Sequence, residues 1–308
     1  MTACMDVQCS SSLMAPNRKQ FKIFVLTAVI FIVLLNTYVY YAVNGPGTSL
    51  SLNHKKIYHP RLLCWILTTK RNFKTKAKAV KDTWSRRCDV RLFVASDKDD
   101  ALNTTVFNIV DSRETLTQKT FAAFEYVYKH HINDADWFLK ADDDTYIFTE
   151  NLRHLLTSYN PDHPWFIGFP TQLFLSSPYM SGGAGYVISK SALEKFYRVG
   201  LSQKLCPTTG RFEDKDFGEC LYKIGVKTGK SQDANHRTLF HPFHPVTMIN
   251  GADPNLPKWF YISRYPGLAG NTRGIDTLSE DTVSFHYVDP GSMYLMHFLL
   301  YDIRRPAS

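Results

Sequence analysis

The most distinct hydrophobic pattern in the chain is a long apolar segment near its N-terminus. Residues Ile23 to Val43 carry no ionised side chain and are interrupted only by Asn36 and two threonines. About 20 apolar residues are needed to cross the ~30 Å hydrocarbon core of a bilayer. The apolar region of a cleaved signal peptide is shorter, at about 7–15 residues. The pattern therefore predicts a single transmembrane helix, a signal-anchor, over residues 23–43.

Charges around this segment predict its orientation. Arg18, Lys19 and Lys22 precede it, whereas residues 44–52 carry no charge. Basic residues favour the cytoplasmic side of a membrane. We therefore expect a single-pass type II protein with residues 1–22 as a cytoplasmic tail. A short stem rich in Gly, Ser and Pro (44–60) and a lumenal domain (61–308) would follow.

From Arg61 onward, short apolar runs alternate with segments of helical periodicity. Near-continuous apolar runs are typical of strands that are buried on both faces. Apolar residues at helical spacing follow these runs, in one helix over 117–131 and in another that Thr149 would cap. This alternation predicts an α/β domain with a mostly parallel, Rossmann-like sheet flanked by helices. The predicted strands are Leu62–Thr68, Val90–Ala95, Phe107–Val110 and Trp137–Ala141.

Composition and charge narrow the function classes. The 308 residues are 44% hydrophobic, which suits one medium-sized domain plus the N-terminal segment. The net charge is +8, but lysine and arginine are spread along the chain, so we predict no nucleic-acid partner. No glycine-rich dinucleotide or P-loop motif follows any predicted strand. A basic domain also suits a nucleotide diphosphate or an anionic membrane surface.

Two features agree with a lumenal domain. Asn103 begins an Asn-Thr-Thr sequon for N-glycosylation. With Cys4 and Cys9 in the tail, an even number of cysteines remains for the lumenal domain, which favours disulfides. The local pairing is Cys64–Cys88 with Cys206–Cys220, although the sequence alone leaves the connectivity open.

An acidic triplet follows the strand that ends at Ala141. In an extended segment Asp142 and Asp144 point to one side and Asp143 to the other. Two carboxylates on one side suit a hard divalent cation such as Mn²⁺ or Mg²⁺, which would also bind a diphosphate. The alternative interpretation is a solvated acidic turn. The position at the carboxyl end of a strand, where α/β sheets bind ligands, favours the metal site.

Four further patterns leave two interpretations each. Glu213 and Asp214 begin a helical pattern, so they either cap that helix or supply an exposed, ionised general base. The glycines of residues 181–185 either let the backbone approach a ligand closely or simply make a tight turn. His286 alternates with apolar residues, a pattern that favours a structural strand histidine over a metal ligand. Four lysines follow the first strand, and they form either a solvated helix face or a phosphate site. They are Lys74, Lys76, Lys78 and Lys81.

Five segments, taken together, resemble one known family. They are WFLKADDDTYIF, YMSGGAGYVISKSAL, FEDKDFGEC, TLFHPFHP and VSFHYVD. In type and order they resemble the core 1 β1,3-galactosyltransferases of glycosyltransferase family 31, over Leu62 to about Arg304. The resemblance implies a GT-A fold and inverting transfer of galactose from UDP-galactose to the 3-hydroxyl of GalNAc-α-Ser/Thr. It also implies Mn²⁺, with Mg²⁺ as the alternative, Golgi residence, a glycoprotein acceptor and, as an open hypothesis, a homodimer.

By position, the resemblance assigns roles to individual residues. It implies Asp144 and His286 as metal ligands, with Asp142 against the metal and the donor. It implies Asp214 as the catalytic base, with Glu213 as its neighbour. The residues implied to contact the donor are Thr68, Trp84, Asp142, Asp143, Gly182 and Gly183.

The chain also departs from the family's pattern, and the departures bear on the acceptor. A tryptophan expected near Thr117 is absent, and residues 265–270 lack an adjacent cysteine pair. Segments 168–178 and 259–264 also differ, and we expect these regions to shape the acceptor site. Two alternatives therefore stay open. One is a related β1,3-glycosyltransferase with another donor or acceptor, such as a β1,3-N-acetylglucosaminyltransferase, and the other is a non-catalytic chaperone of such an enzyme.

Overall fold

The computed structural model describes residues 18–44, 58–171, 179–251 and 274–304. The chain forms two compact units, 1–57 and 58–308. The first contains helix α1 (Arg18–Asn44), which covers the predicted anchor segment. No helix within the described ranges has both the length and the hydropathy of a membrane span. The anchor therefore stays a prediction. Several predicted features lie outside the described residues, namely Cys4, Cys9, most of the tail and stem, and the segments 172–178, 259–264 and 265–270.

The second unit is an α/β domain, as the alternation of patterns predicts. Its strands are β1 (Leu62–Leu67), β2 (Val90–Ala95), β3 (Thr104–Val106), β4 (Trp137–Asp142), β5 (Tyr146–Ile147), β6 (Trp165–Gly168), β7 (Pro170–Thr171), β8 (Tyr179–Met180), β9 (Tyr186–Ser189), β10 (Lys227–Thr228), β11 (Phe240–His241) and β12 (Ser284–Phe285). Its α-helices are α2 (Lys78–Asp82), α3 (Leu116–His131), α4 (Thr149–Leu156), α5 (Lys190–Lys195), α6 (Glu213–Lys223), α7 (Pro245–Asn250) and α8 (Pro290–His297). Shorter 3₁₀ and π turns cover Lys70–Asn72, Phe73–Ala77, Trp84–Arg87, Arg113–Thr115, Phe196–Leu201, Gly274–Thr277 and Phe298–Asp302.

The central sheet has seven strands in the order β10-β6-β9-β4-β1-β2-β3. The pairs β4–β1, β1–β2, β2–β3 and β10–β6 are parallel, whereas β9 runs antiparallel to both β4 and β6. The sheet is therefore mixed, and four of its six strand pairs are parallel, in agreement with the prediction of a mostly parallel sheet. The chain reaches β9 through the glycine-containing turn after β8, and it then runs back along β4.

Two local predictions were wrong. The third strand is β3 (Thr104–Val106) instead of Phe107–Val110, because a turn with Asn103 at φ 53° ends just before Thr104. Thr149 does not cap α4 but is its first residue, and the N-cap is Phe148. In both cases the sequence pattern indicated the element but missed its boundaries. Element boundaries are less certain than the presence of the element.

The continuous apolar run of β1 is explained by its two buried faces. Leu62, Cys64 and Ile66 pack into one apolar layer, and Leu63 and Trp65 pack into the layer on the opposite face of the sheet. Successive side chains of a strand point to opposite faces, so both sets must be apolar.

Two disulfides have the predicted local connectivity. Cys64 of β1 is bonded to Cys88, just before β2, and Cys206 is bonded to Cys220 of α6. The second bond holds α6 beside the segment that precedes it, and α6 is the helix that begins with Glu213 and Asp214.

Sheet register brings the predicted site residues together. In the parallel pair β1–β4, Leu67 lies opposite Asp142, so the residues that follow both strands are neighbours. In a second, three-stranded sheet, β12 pairs with β5, and Phe285 lies opposite Tyr146. This pairing places His286, immediately after β12, beside the aspartate turn that precedes β5.

Candidate functional site

Three side chains converge at the carboxyl end of β4. Ligand-type atoms of Asp142, Asp144 and His286 all lie within 4.8 Å of one another. His286 Nε2 is 3.2 Å from Asp144 Oδ1, and its Nδ1 is 3.3 Å from the carbonyl oxygen of Pro242. A carbonyl oxygen only accepts, so Nδ1 donates. In the doubly protonated ring Nε2 donates to Asp144 as well, and in the neutral ring Nε2 offers its lone pair to a metal ion. This is the usual arrangement of a metal-binding histidine.

This donor set fits the divalent cation that the sequence predicts. Carboxylate oxygens with one imidazole nitrogen suit Mn²⁺ and Mg²⁺, and three protein ligands leave coordination positions for a substrate. Burial alone would raise the pKa of Asp144, but its bonds to His286 and Lys76 outweigh burial and hold that pKa well below its usual range. Asp144 is therefore an anion throughout the physiological pH range, as a metal ligand must be.

Asp143 lies apart from this group, as predicted, although residues 143 and 144 form a turn closed by the Thr145 N–H to the Asp142 carbonyl instead of an extended segment. Its Oδ2 accepts a hydrogen bond from Thr68 Oγ1 at 2.7 Å and another from Asn72 Nδ2 at 2.9 Å. Burial raises the pKa of Asp143 to about 6 in spite of these two bonds. Thr68 and Asp143 thus link the ends of β1 and β4, next to the metal-type group.

Lys140 is a site residue that the sequence did not identify. It lies inside β4, and its side chain is only 1% exposed. Its Nζ donates to Asp142 Oδ1 at 2.8 Å, to Glu213 Oε1 at 2.8 Å and to the Gly182 carbonyl at 3.2 Å. Burial would lower the pKa of Lys140, but the two carboxylates raise it above its ordinary value. A lysine inside an otherwise apolar strand is itself a signal, because a buried charge requires partners.

Glu213 and Asp214 lie on the other side of Lys140, at the start of α6. Glu213 is 7% exposed, and its Oε2 accepts a hydrogen bond from the Tyr186 hydroxyl at 2.9 Å. Asp214 Oδ2 accepts from the Gly182 N–H at 3.0 Å and its Oδ1 from the Lys215 N–H at 2.8 Å.

The prediction that Asp214 is an exposed carboxylate is corrected. Burial raises the pKa of Asp214, and burial likewise raises the pKa of Glu213. The simple capping interpretation does not hold either, since the N-cap of α6 is Phe212, whose side chain makes no cap hydrogen bond. Glu213 is the more buried of the two acids and pairs with Lys140, and Asp214 is less buried and accepts a hydrogen bond from Gly182.

The glycine turn separates the two halves of the site. A Cβ atom built on Gly182 would overlap Glu213 Oε1, and one built on Gly183 would overlap the imidazole ring of His286. Thr145 Oγ1 donates to the Gly183 carbonyl at 2.8 Å and fixes the turn. The glycines make a tight turn, in which the Gly185 N–H donates to the Gly182 carbonyl at 3.0 Å, and they also let Glu213 and His286 approach the backbone closely. Close approach to a ligand stays a prediction.

One of the four lysines after β1 reaches the site. Lys76 Nζ is 2.8 Å from Asp144 Oδ2. Lys78 instead pairs with Asp82 of its own helix, Lys81 donates to the Ala101 carbonyl, and Lys74 is exposed. The interpretation as a solvated face suits Lys74 and Lys78 but not Lys76.

Two predicted residues lie apart from this group. Trp84 is completely buried in the apolar layer that contains Leu62 and Ile66, and its predicted contact with the donor stays a prediction. Asn103 is exposed in the turn before β3. Its position is compatible with glycosylation, which stays a prediction.

Comparisons with known proteins agree with this picture. The model of a family described as Fringe-like matches residues 59–303. The chain is 38% identical over 247 residues to glycoprotein-N-acetylgalactosamine 3-beta-galactosyltransferase 1 of Xenopus laevis, an alignment that covers 79% of this chain and 67% of that protein. It is 27% identical over 236 residues to beta-1,3-glucosyltransferase of Mus musculus, covering 75% and 42% respectively.

A solved structure of the galactosyltransferase LgtC, in complex with donor and acceptor sugar analogues, is similar at a TM-score of 0.41 with 13% identity. The similarity covers 73% of this chain and 86% of that one. Nothing about the chemistry of this chain follows from similarity at that level.

Proposed function

Since this chain belongs to the Fringe-like family, we propose that it is a GT-A type, inverting β1,3-galactosyltransferase. It transfers galactose from UDP-galactose to the 3-hydroxyl of GalNAc α-linked to serine or threonine of a glycoprotein, which is core 1 O-glycan synthesis. The proposal rests first on the sequence relationship, since the Xenopus protein is named for galactosyl transfer to N-acetylgalactosamine of glycoproteins.

One structural observation supports the chemistry. The group formed by Asp142, Asp144 and His286 lies on one side of the Gly182–Gly183 turn, and Asp214 lies on the other. An inverting displacement needs such a division, because the base acts on the acceptor hydroxyl while the leaving diphosphate departs from the opposite face of the sugar.

Asp142, Asp144 and His286 would hold Mn²⁺, or alternatively Mg²⁺. The ion, when bound, would act as a Lewis acid that offsets the negative charge developing on the UDP leaving group. Asp214 would accept the proton of the acceptor 3-hydroxyl. Its raised pKa brings its proton affinity closer to neutral pH, which improves a general base. Lys140 would keep Glu213 ionised and paired, and the donor sugar would lie against Gly182 and Gly183.

The cellular setting follows from the same proposal. We propose that residues 23–43 anchor the chain in the Golgi membrane with residues 58–308 in the lumen. The two disulfides support an oxidising compartment. A GalNAc-bearing glycoprotein is the proposed partner, and self-association into a homodimer is an open part of this proposal.

A screen of donors against acceptors tests the proposal. The full-length chain is incubated with Mn²⁺ and one of several UDP-sugars, and the acceptors include GalNAc-α-Ser/Thr peptides. We expect transfer from UDP-galactose to the GalNAc peptide and loss of transfer in EDTA. Transfer from another UDP-sugar would favour a related β1,3-glycosyltransferase. Failure with every donor would favour the chaperone hypothesis.

A matched pair of variants tests the metal ligands directly. Asp144→Asn removes a charged ligand, whereas Asp143→Asn changes a neighbouring carboxyl group that faces Thr68 and Asn72 instead. We expect Asp144→Asn to abolish both Mn²⁺ binding, measured by calorimetry, and transfer. We expect Asp143→Asn to retain Mn²⁺ binding. Equal Mn²⁺ affinity in the two variants would contradict the assignment of Asp144.

A further inference from the structure

Each aspartate of the metal-type group gives one oxygen to a lysine. Asp142 Oδ1 accepts from Lys140, and Asp144 Oδ2 accepts from Lys76, both at 2.8 Å. The cation site and two ammonium groups therefore share the same two carboxylates. A divalent cation that binds there meets these fixed positive charges at short range, and like charges repel.

The two lysines differ in their freedom to move. Lys140 is 1% exposed and bonded to three acceptors, so it cannot leave without burying an unpaired charge. The Lys76 side chain is 36% exposed, and Asp144 is its only carboxylate partner within the described part of the chain. It stands on the π turn Phe73–Ala77, at the rim of the site, and its long stem is flexible.

A nucleotide diphosphate offers such a lysine a second anion. Phosphate oxygens are strong acceptors, and lysine binds them as a compact point charge. The donor must reach the same cation that Asp144 holds, so its diphosphate would arrive beside the lysine on that carboxylate.

We propose that Lys76 is an exchangeable counter-ion of Asp144. In the ion-free protein it pairs with Asp144, and when cation and nucleotide bind, it releases Asp144 and binds the diphosphate. The exchange makes cation and nucleotide binding cooperative. The cation alone must compete with Lys76 for Asp144, and the nucleotide alone must compete with Asp144 for Lys76, whereas both ligands together satisfy both side chains. This inference rests on the proposed function, because it assumes a cation and a nucleotide diphosphate at this site.

Binding measurements on the full-length chain test the exchange without any assay of transfer. Calorimetry gives the Kd of Mn²⁺ without nucleotide, and then the Kd of UDP at saturating Mn²⁺. For Lys76→Met we expect the Mn²⁺ Kd to fall and the UDP Kd to rise, each by roughly five-fold, the lower end of typical coupling between sites. Lys76→Gln should give the same two shifts and replaces Lys76→Met if the latter is poorly soluble.

Two controls separate charge from position. Lys76→Arg keeps the positive charge and should leave the Mn²⁺ affinity close to that of the unmodified chain. Lys74→Met removes an exposed charge from the same turn and should change neither Kd.

Three results would overturn the exchange. A higher Mn²⁺ Kd in Lys76→Met would mean that Lys76 only orients Asp144 for the cation, and unchanged values of both Kd would mean that Lys76 does neither. Absence of Mn²⁺ binding to the unmodified chain, with and without UDP, would overturn the metal assignment of the proposed function and the exchange with it. If the unmodified chain binds Mn²⁺ but the variants fail the expectation, the exchange alone is wrong.

Discussion

At the scale of single residues, opposing effects act on the carboxyl group of Asp214. Burial raises its pKa, and the N–H groups of Gly182 and Lys215 lower it, with burial the larger effect. The group therefore binds its proton more tightly than an ordinary aspartate while it remains hydrogen-bonded to the glycine turn. A general base gains from such a shift, as long as it is still deprotonated at the working pH.

The proposed base predicts a specific loss of activity. Asp214→Asn cannot accept the proton of the acceptor, so we expect kcat to fall by roughly 10²–10⁴-fold, the usual contribution of a general base. Mn²⁺ binding should persist, because Asp214 is not one of the three ligand residues. Calorimetry and steady-state kinetics would separate the two effects. Glu219→Gln, farther along the same helix, is the control and should keep its kcat.

The same residue predicts the acid limb of the pH profile. The base works only when it is deprotonated, so activity falls as the pH drops through the pKa of Asp214. Because that pKa is raised, the limb should lie above the ordinary aspartate value of about 3.9. If the residual activity of Asp214→Asn still falls at the same acidic pH, the fall would have to be assigned to another group.

At the scale of elements, the turn between β8 and β9 has a function beyond reversing the chain. It separates the start of α6 from the end of β12, and each contributes a side chain that would overlap a Cβ atom on the turn. The two glycines therefore set the spacing between the base side and the metal side of the site. Substitutions at the two positions should have different effects.

A pair of alanine variants tests this division. Gly183→Ala would displace the His286 ring, so we expect weaker Mn²⁺ binding. Gly182→Ala would displace Glu213, so we expect a lower kcat with Mn²⁺ affinity close to that of the unmodified chain. Each variant serves as the control of the other. The same pattern of loss in both would indicate that the turn simply unfolds, which a drop in the thermal denaturation midpoint would show independently.

The sequence predicted the elements better than it predicted their partners. The apolar run of β1 required burial on both faces. The sequence also separated Asp143 from Asp142 and Asp144, although the structure achieves this in a turn instead of an extended segment. Periodicity describes the faces of one element and not what those faces meet. It therefore favoured a structural role for His286, whose neighbours come from the pairing of β12 with β5. It also counted Lys140 as part of an apolar strand, although its acceptors are Asp142 at the end of that strand and two groups from other segments, Gly182 and Glu213.

The resemblance to a family supplied what periodicity could not, because it named His286 as a partner of the aspartates. It also placed Trp84 at the donor. That side chain is buried in the apolar layer with Leu62 and Ile66, and its donor contact stays a prediction. Segments 172–178 and 252–273 lie outside the described residues, so the predicted acceptor regions within them stay predictions.

At the scale of the whole molecule, the chemistry is contained in one of the two units. The site residues, both disulfides and both apolar layers belong to residues 58–308. The predicted tail, anchor and stem belong almost entirely to residues 1–57. Location and catalysis should therefore be separable by truncation.

Replacing residues 1–57 with a cleavable secretion signal tests this separation. We expect a secreted protein that keeps galactosyl transfer and Mn²⁺ binding, because the truncation removes no part of the site or of the apolar layers. The full-length chain, as the matched control, should stay with the membrane fraction after an alkaline wash if residues 23–43 anchor it. Both forms should lose mass on treatment with an N-glycosidase, and Asn103→Gln should remove that shift, which would place Asn103 in the lumen. Release of the full-length chain by the alkaline wash would contradict the anchor, and a secreted but inactive truncation would show that residues 1–57 contribute to catalysis.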